Sequence, residues 1–125
     1  MDAADARFGG IARLYGNDGL AKLRAAHVAV IGVGGVGSWS AEALARSGIG
    51  KLTLVDLDEV CITNTNRQIH ALEGSINKAK VNELALRIHR INPDCTVYAR
   101  TEFFTSQTAN SILSGGFDYL IDAID

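Results

Sequence analysis

The sequence predicts an α/β domain in which a parallel sheet carries helices on both faces. Three observations support this. Apolar runs of strand length alternate with longer segments of helical composition. The first run, HVAVIG at 27–32, has no polar face and ends in glycine, as a strand buried on both sides does. Directly after it stands Gly32-Val33-Gly34-Gly35-Val36-Gly37, a G-x-G-x-x-G turn between a strand and a helix.

In chain order, residues 1–17 are small, polar and glycine-rich and are expected to form an arm with one short helix. A second short helix is expected from Asp18 to Ala25, with Asp18 as its N-cap. Residues 1–25 thus precede a Rossmann-like domain at 26–125. After the first strand, GSWSAEALARS at 37–47 reads as a helix that Gly48 stops. KLTLVD at 51–56 is the second strand, and residues 57–74, aperiodic and rich in Thr, Asn and Gln, form a functional loop. Ile76 to Ile91 is the longest helix, with Val81, Leu84, Ala85, Ile88 and Ile91 on one face, and Asn92-Pro93 ends it. CTVYAR at 95–100 is the third strand, residues 106–114 a further helix stopped by Gly115-Gly116, and DYLIDAI at 118–124 the fourth strand. The order β-α-β-α-β-α-β predicts a right-handed wound sheet of Rossmann type. The chain stops at Asp125 with no helix to cover that strand, so a sheet truncated after its fourth strand, an N-terminal fragment, is expected.

Composition narrows the function classes. The 125 residues are 47% apolar and 21% charged, an ordinary globular mix that excludes a disordered or collagen-like chain. Twelve Lys and Arg against fourteen Asp and Glu give a net charge of −2, so no strong basic field draws the chain to nucleic acid. No apolar run approaches the roughly 20 residues of a membrane helix, and no signal peptide is evident. Cys61 and Cys95 form no C-x-x-C pair, which fits a reduced, cytoplasmic protein without a zinc site here.

The glycine turn suits a nucleotide. Gly32 permits the tight turn, Gly34 lets backbone approach a phosphate, and Gly37 lets the helix pack on the strand. Amides at the helix start then face the anion. Asp56 ends the second strand 19 residues after Gly37, where a carboxylate accepts from ribose hydroxyls. No G-K-[ST] follows, so the turn is not a Walker loop. A nicotinamide dehydrogenase, binding NAD, accounts for these features alone.

The run DLDEVCITNTNRQIH argues for a different chemistry. It places Asp56, Asp58, Asn64, Asn66, Arg67 and Gln68 just past the carboxyl end of the second strand, at the edge that faces the ligand crevice. Lys78 and Lys80 follow, and Asp122 and Asp125 stand at the end of the fourth strand. ATP carries about −4, and one Mg²⁺ with Arg67 and Lys80 supplies about +4. Asp125 is a hard oxygen ligand for that Mg²⁺. The chemistry this suits is attack by a carboxylate on the α-phosphate, giving an acyl-adenylate and pyrophosphate, with Arg67, Lys80 and Asp125 as catalytic groups. Asp58 reads equally as a second ligand or a solvated turn, and Lys78 as a surface lysine. Trp39 is expected to pack rather than stack on adenine, His70 to be a hydrogen-bonded structural histidine, and Cys61 to be a small buried residue.

The stretches RFGGIARLYG, VIGVGGVGSWSAEALARSGIGKLTLVDLDEVCITNTNRQIHAL, INKAK, RINPDC and LIDAID together resemble the ubiquitin-activating-enzyme-like (ThiF-type) adenylation family. The TNTNRQIHA run resembles its tRNA threonylcarbamoyladenosine dehydratase branch, whereas sulfur-carrier adenylyltransferases carry an SNLQRQ-like run. The resemblance implies ATP-dependent cyclisation of N6-threonylcarbamoyladenosine beside the tRNA anticodon. It implies that Gly32, Gly34, Gly35 and Gly37 approach the phosphates, Asp56 the ribose, Asn64, Arg67 and Lys80 the triphosphate, and Asp125 the metal. It also implies a homodimer in which an arginine of one N-terminal arm reaches the partner's ATP. The matching position in RFGGIAR is glycine, with Arg7 and Arg13 as substitutes. The alternatives are activation of a sulfur-carrier protein's C-terminus, with a sulfur-transfer protein as partner, and an NAD-binding oxidoreductase. The 125 residues by themselves are expected to be inactive.

Overall fold

A computed structural model describes residues 6–125; the first five residues of the expected arm lie outside the described ones. The elements are α1 (Gly9–Ala25), β1 (His27–Ile31), α2 (Gly37–Arg46), β2 (Lys51–Val55), a 3-10 turn (Ile62–Asn64), α3 (Lys80–Ile91), β3 (Thr96–Arg100), α4 (Ala109–Leu113) and β4 (Tyr119–Asp122). The four strands form one sheet in the order β3-β2-β1-β4. Every pairing is parallel, with Val28 opposite Leu52 and Tyr119, and Leu52 opposite Val97.

Strand periodicity splits the central residues between two cores. Val28, Val30, Leu52 and Leu54 face one side, where they meet Ala41 and Ala45 of α2 and Val81, Leu84 and Ile88 of α3. Ala29, Ile31 and Val55 face the other side and meet Ile112 of α4, with Phe104 and Phe117 beside it. Helices therefore cover both faces. This explains why β1 is nearly all apolar and why Leu52 to Val55 of β2, Thr53 included, are all buried, whereas the edge strands β3 and β4 remain largely exposed.

Glycine sets the end of α2. Gly48 adopts φ +94°, its N–H donates to the Ala45 carbonyl, and the Ile49 N–H reaches back to Leu44. Phe8 and Leu20 of the N-terminal region are buried against this turn, so the region packs on the domain. Helix α1 is broken at Gly16 (φ 81°, ψ 165°), two residues before the start expected at Asp18. Laterally, Glu42 of α2 accepts from Arg87 of α3 at 2.6 and 3.1 Å and from Arg46 at 3.0 Å. Burial alone pushes the Glu42 carboxyl up, but these hydrogen bonds outweigh it and hold it below its ordinary value.

Two helices are shorter than expected, each for a local reason. Helix α3 starts at Lys80 rather than Ile76 because 77–79 pair with 59–60. The Asn77 N–H donates to Val60 O, the Val60 N–H to Lys78 O, and Asn77 takes φ 69°. Helix α4 starts at Ala109 rather than 106 because the hydroxyls of Thr105 and Thr108 each accept from the other's backbone N–H.

Leu84 is fully buried at the centre of the α3 face. Leu84→Ala is expected to lower the free energy of unfolding by about 2–5 kcal/mol in a urea titration, and a loss below about 1 kcal/mol would show that α3 is not seated as described.

Candidate functional site at the glycine turn

The carboxyl ends of β1, β2 and β4 converge on the glycine turn, where the strand order reverses between β1 and β4. Gly32 takes φ +89°, donates its N–H to Val55 O at 2.8 Å, and lies so close behind β4 that a Cβ would stand 2.7 Å from the Ala123 carbonyl oxygen. A Cβ on Gly37 would overlap the Gly32 carbonyl oxygen. These two glycines are required by the turn and by the helix–strand packing. Gly34 and Gly35 are different. Neither has a positive φ, and the nearest side-chain atoms to a Cβ there are Gln68 Nε2 at 3.5 Å and Arg67 Cδ at 3.8 Å. Among the described residues, the amides of Gly34 and Gly35 donate to no group. Two small residues with unspent N–H groups at the start of a ten-residue helix form a concavity for an anion.

The carboxylate of Asp56 is already engaged. Its Oδ2 accepts from the Val33 N–H at 2.9 Å and its Oδ1 from the Asp58 N–H at 2.8 Å, so it anchors the turn to the exit of β2. Each oxygen retains a lone pair, which leaves acceptor capacity for a ribose hydroxyl.

The segment Arg67–His70 is stitched onto the turn and the start of α2. Trp39 Nε1 donates to Arg67 O at 2.8 Å, the Ile69 N–H to Ser38 Oγ at 3.4 Å, and the ring of His70 meets Val33 O at 2.8 Å. Ser38 Oγ in turn donates to Gly34 O. Trp39 is thus a half-exposed tether, in place of the packed residue expected, and His70 is the buried, hydrogen-bonded histidine expected. The Arg67 side chain runs beside Gly35, and its Nη1 donates to Thr63 O and Asn66 Oδ1, which aims an exposed guanidinium over the turn.

Lys80, expected on a helix face, is buried at 6% exposure. Its N–H donates to Asp58 O at 3.0 Å, and its Nζ lies 4.0 Å from Asp58 Oδ2, on a carboxylate that is 60% exposed. A buried ammonium with one long, solvated ion pair is thinly compensated, and an approaching anion completes its shell. Through Asp58, whose N–H donates to Asp56 Oδ1, Lys80 is linked to the carboxylate that holds the turn.

Asn64 does not present its whole amide. Its Oδ1 accepts from the Cys61 N–H at 2.8 Å and closes the 3-10 turn, which leaves one lone pair of that oxygen and the amide nitrogen for a ligand. Cys61 corrects the expectation of a buried thiol. It is exposed, and the hydrogen bond from the Thr63 hydroxyl, with the Thr63 backbone N–H, holds it below the ordinary thiol value. Cys95 is the buried cysteine, pushed up to about 11 by burial. Asp122 Oδ1 accepts from the Ile124 N–H, and Asp125 is exposed. Among the described residues no cluster of three or more His, Cys, Asp or Glu side chains is shaped for a metal.

Two polar residues against the turn were not singled out as site residues. Ser38 is fully buried, and Gln68, at 8% exposure, keeps Oε1 without a partner among the described residues, as His70 does Nδ1. Both follow a motif residue directly, Gly37 and Arg67, which is the signal that marks them. A wide apolar groove of about 1150 Å³ lies elsewhere, between α1, the end of α2 and β4, lined by Leu23, Val28, Leu44 and Leu120. It is remote from the glycine turn.

A parallel α/β sheet with a glycine turn at its topological switch point defines a Rossmann-like domain. The chain belongs to the ThiF family, whose sequence model matches residues 9–125. It is 54% identical over 125 residues to the tRNA threonylcarbamoyladenosine dehydratase of Haemophilus influenzae, covering 100% of this chain and 48% of that protein. The Bacillus subtilis protein of the same name is 52% identical over 110 residues, covering 88% of this chain and 43% of its own length. Among solved structures, the Escherichia coli tRNA N6-threonylcarbamoyladenosine dehydratase in complex with ATP matches with a TM-score of 0.98 at 54% identity, covering 100% of this chain and 51% of that one. The chain spans about half the length of the curated relatives it matches.

The two kinds of glycine are separable. Gly34→Ala is expected to leave the thermal unfolding midpoint within a few degrees of the parent while weakening nucleotide binding; Gly37→Ala is expected to yield little folded protein. Equal stability of the two variants in a thermal melt would contradict the packing described.

Burial holds His70 below its ordinary value of 6.5, with the Lys80 charge acting in the same direction and the Val33 hydrogen bond, Asp56 and Glu83 opposing. The unfolded chain therefore takes up a proton that the folded chain resists, and stability present above pH 6.5 is lost as the pH falls through it. His27 is lowered too, by burial and Lys51, against Asp118, but it contributes equally to parent and variant. Urea unfolding across that range is expected to show a steeper loss in the parent than in His70→Leu, and parallel curves would refute the assignment.

Proposed function

We propose that this chain is the nucleotide-binding part of an ATP-dependent enzyme that activates a carboxylate by adenylation, with N6-threonylcarbamoyladenosine in tRNA as the substrate. One observation carries the reading: Gly34 and Gly35 offer unspent amides and no side chain, with the Arg67 guanidinium laid beside them. The buried Lys80 supports it, because with Arg67 it gives the site two cations for a triphosphate that carries about −4.

The residues divide the work. Amides of Gly34 and Gly35 take phosphate oxygens at the start of α2, and Asp56 accepts from the ribose. Arg67 and Lys80 neutralise charge that develops at the α-phosphate as the threonyl carboxylate oxygen attacks phosphorus and pyrophosphate departs. Asp125 is the protein ligand for Mg²⁺, which when bound neutralises the leaving pyrophosphate. A nucleophile within the modified nucleoside then displaces AMP and closes the ring, so the protein needs none of its own. With a net charge of −2, the chain offers little long-range attraction to tRNA, so the tRNA surface lies in a homodimer groove or in the rest of the intact enzyme. Arg7 or Arg13 reaches across that dimer. The enzyme works in the cytoplasm; among the described residues no helix is long and apolar enough to cross a membrane.

In the intact enzyme, Arg67→Ala is expected to lower kcat for pyrophosphate release by about 10²-fold or more with an unchanged melting temperature. Unchanged turnover removes Arg67 from the chemistry. The parent should bind ATP·Mg²⁺ in preference to NAD, and the reverse preference overturns adenylation. Pyrophosphate release with a sulfur-carrier protein but not with modified tRNA would reassign the substrate and bring in a sulfur-transfer partner.

A further inference from the structure

The two peptide units that flank Val33 are held by side chains from different segments. The Val33 N–H donates to Asp56 Oδ2 at 2.9 Å, and the Val33 carbonyl lies 2.8 Å from His70 Nε2. A carbonyl only accepts, so Nε2 carries the proton and Nδ1 is bare. That Nδ1 is buried without a partner among the described residues, on a side chain 2% exposed. One ring nitrogen is thus aimed at a single carbonyl of the glycine turn, and the other has no hydrogen-bond partner among the described residues.

That carbonyl matters because of peptide geometry. In a trans peptide, C=O and the following N–H point in opposite directions. The unit that carries Val33 O also carries the Gly34 N–H, one of the two unspent donors of the turn. A peptide that leads into glycine meets little steric resistance to rotation, because glycine tolerates both signs of φ. His70, from inside the fold, fixes the carbonyl inward and thereby the Gly34 N–H outward.

We propose that His70 is a positioning residue for the nucleotide, which through the Val33 carbonyl keeps the Gly34 amide turned towards a bound phosphate. The proposal rests on the nucleotide-binding reading above and adds to it a residue that touches no ligand. Asp56 sets the preceding peptide in the same way, so the turn is oriented from both sides before any ligand arrives.

The variants are His70→Gln, whose amide nitrogen can stand near Nε2 and donate to Val33 O, and His70→Leu, which removes the donor and the bare acceptor together. In the intact enzyme, at a temperature where all variants are fully folded, His70→Leu is expected to raise the Kd for ATP·Mg²⁺ about tenfold, and His70→Gln to stay within about threefold of the parent. Nitrogen NMR of the parent is expected to show a ring protonated at Nε2, with coupling across the hydrogen bond to the Val33 carbonyl carbon; this holds whatever the variants do. The proposal is overturned if His70→Leu binds ATP as the parent does, if Gln rescues no better than Leu, or if the proton sits on Nδ1. A parent that binds no ATP overturns the adenylation reading, and the proposal with it. A parent that binds ATP, with His70→Leu its equal, overturns the proposal alone.

Discussion

The Asp56 carboxylate joins the two central strands where the ligand crevice opens. One oxygen holds the turn that leaves β1 and the other the turn that leaves β2. Both strands are buried on both faces, so their exits cannot drift relative to one another without breaking two apolar cores. A single side chain at that junction is therefore enough to set the glycine turn against the polar segment that follows β2. Every other element of the site is built on this pairing: α2 begins from the turn, and Arg67–His70 folds back onto it.

Charge is distributed across this frame unevenly. Arg67 is exposed and steered by two oxygens, whereas Lys80 is sunk behind Asp58 with one distant carboxylate. The first cation is reached by solvent, and the second is packed away from it.

The architecture was legible because its signals are short-range and redundant: uniform apolar strands, a glycine turn in context and Gly48 after α2 all point to one winding. The strand order and the two-sided cover of the sheet follow from them. The less legible features depend on contacts between distant segments. The burial of Lys80 comes from the pairing of 77–79 with 59–60, which starts α3 late and draws the lysine inward. The internal use of Asn64 Oδ1 reflects a competition between side chain and backbone that composition does not decide. Cys61 is exposed because it caps a surface 3-10 turn, although its residue type favours burial. The division of the four glycines into two that the fold requires and two that it does not is invisible in the motif, where all four look alike.

The rear wall of the glycine turn is the end of β4 and the residue after it, Ala123, which presses on Gly32. The His27 backbone, at the start of β1, bonds to Asp118, 91 positions away. Pairing across such a separation closes a long loop and comes late in folding. The glycine turn therefore has no rear wall until the fourth strand docks, even where the first three strands and their helices have already assembled.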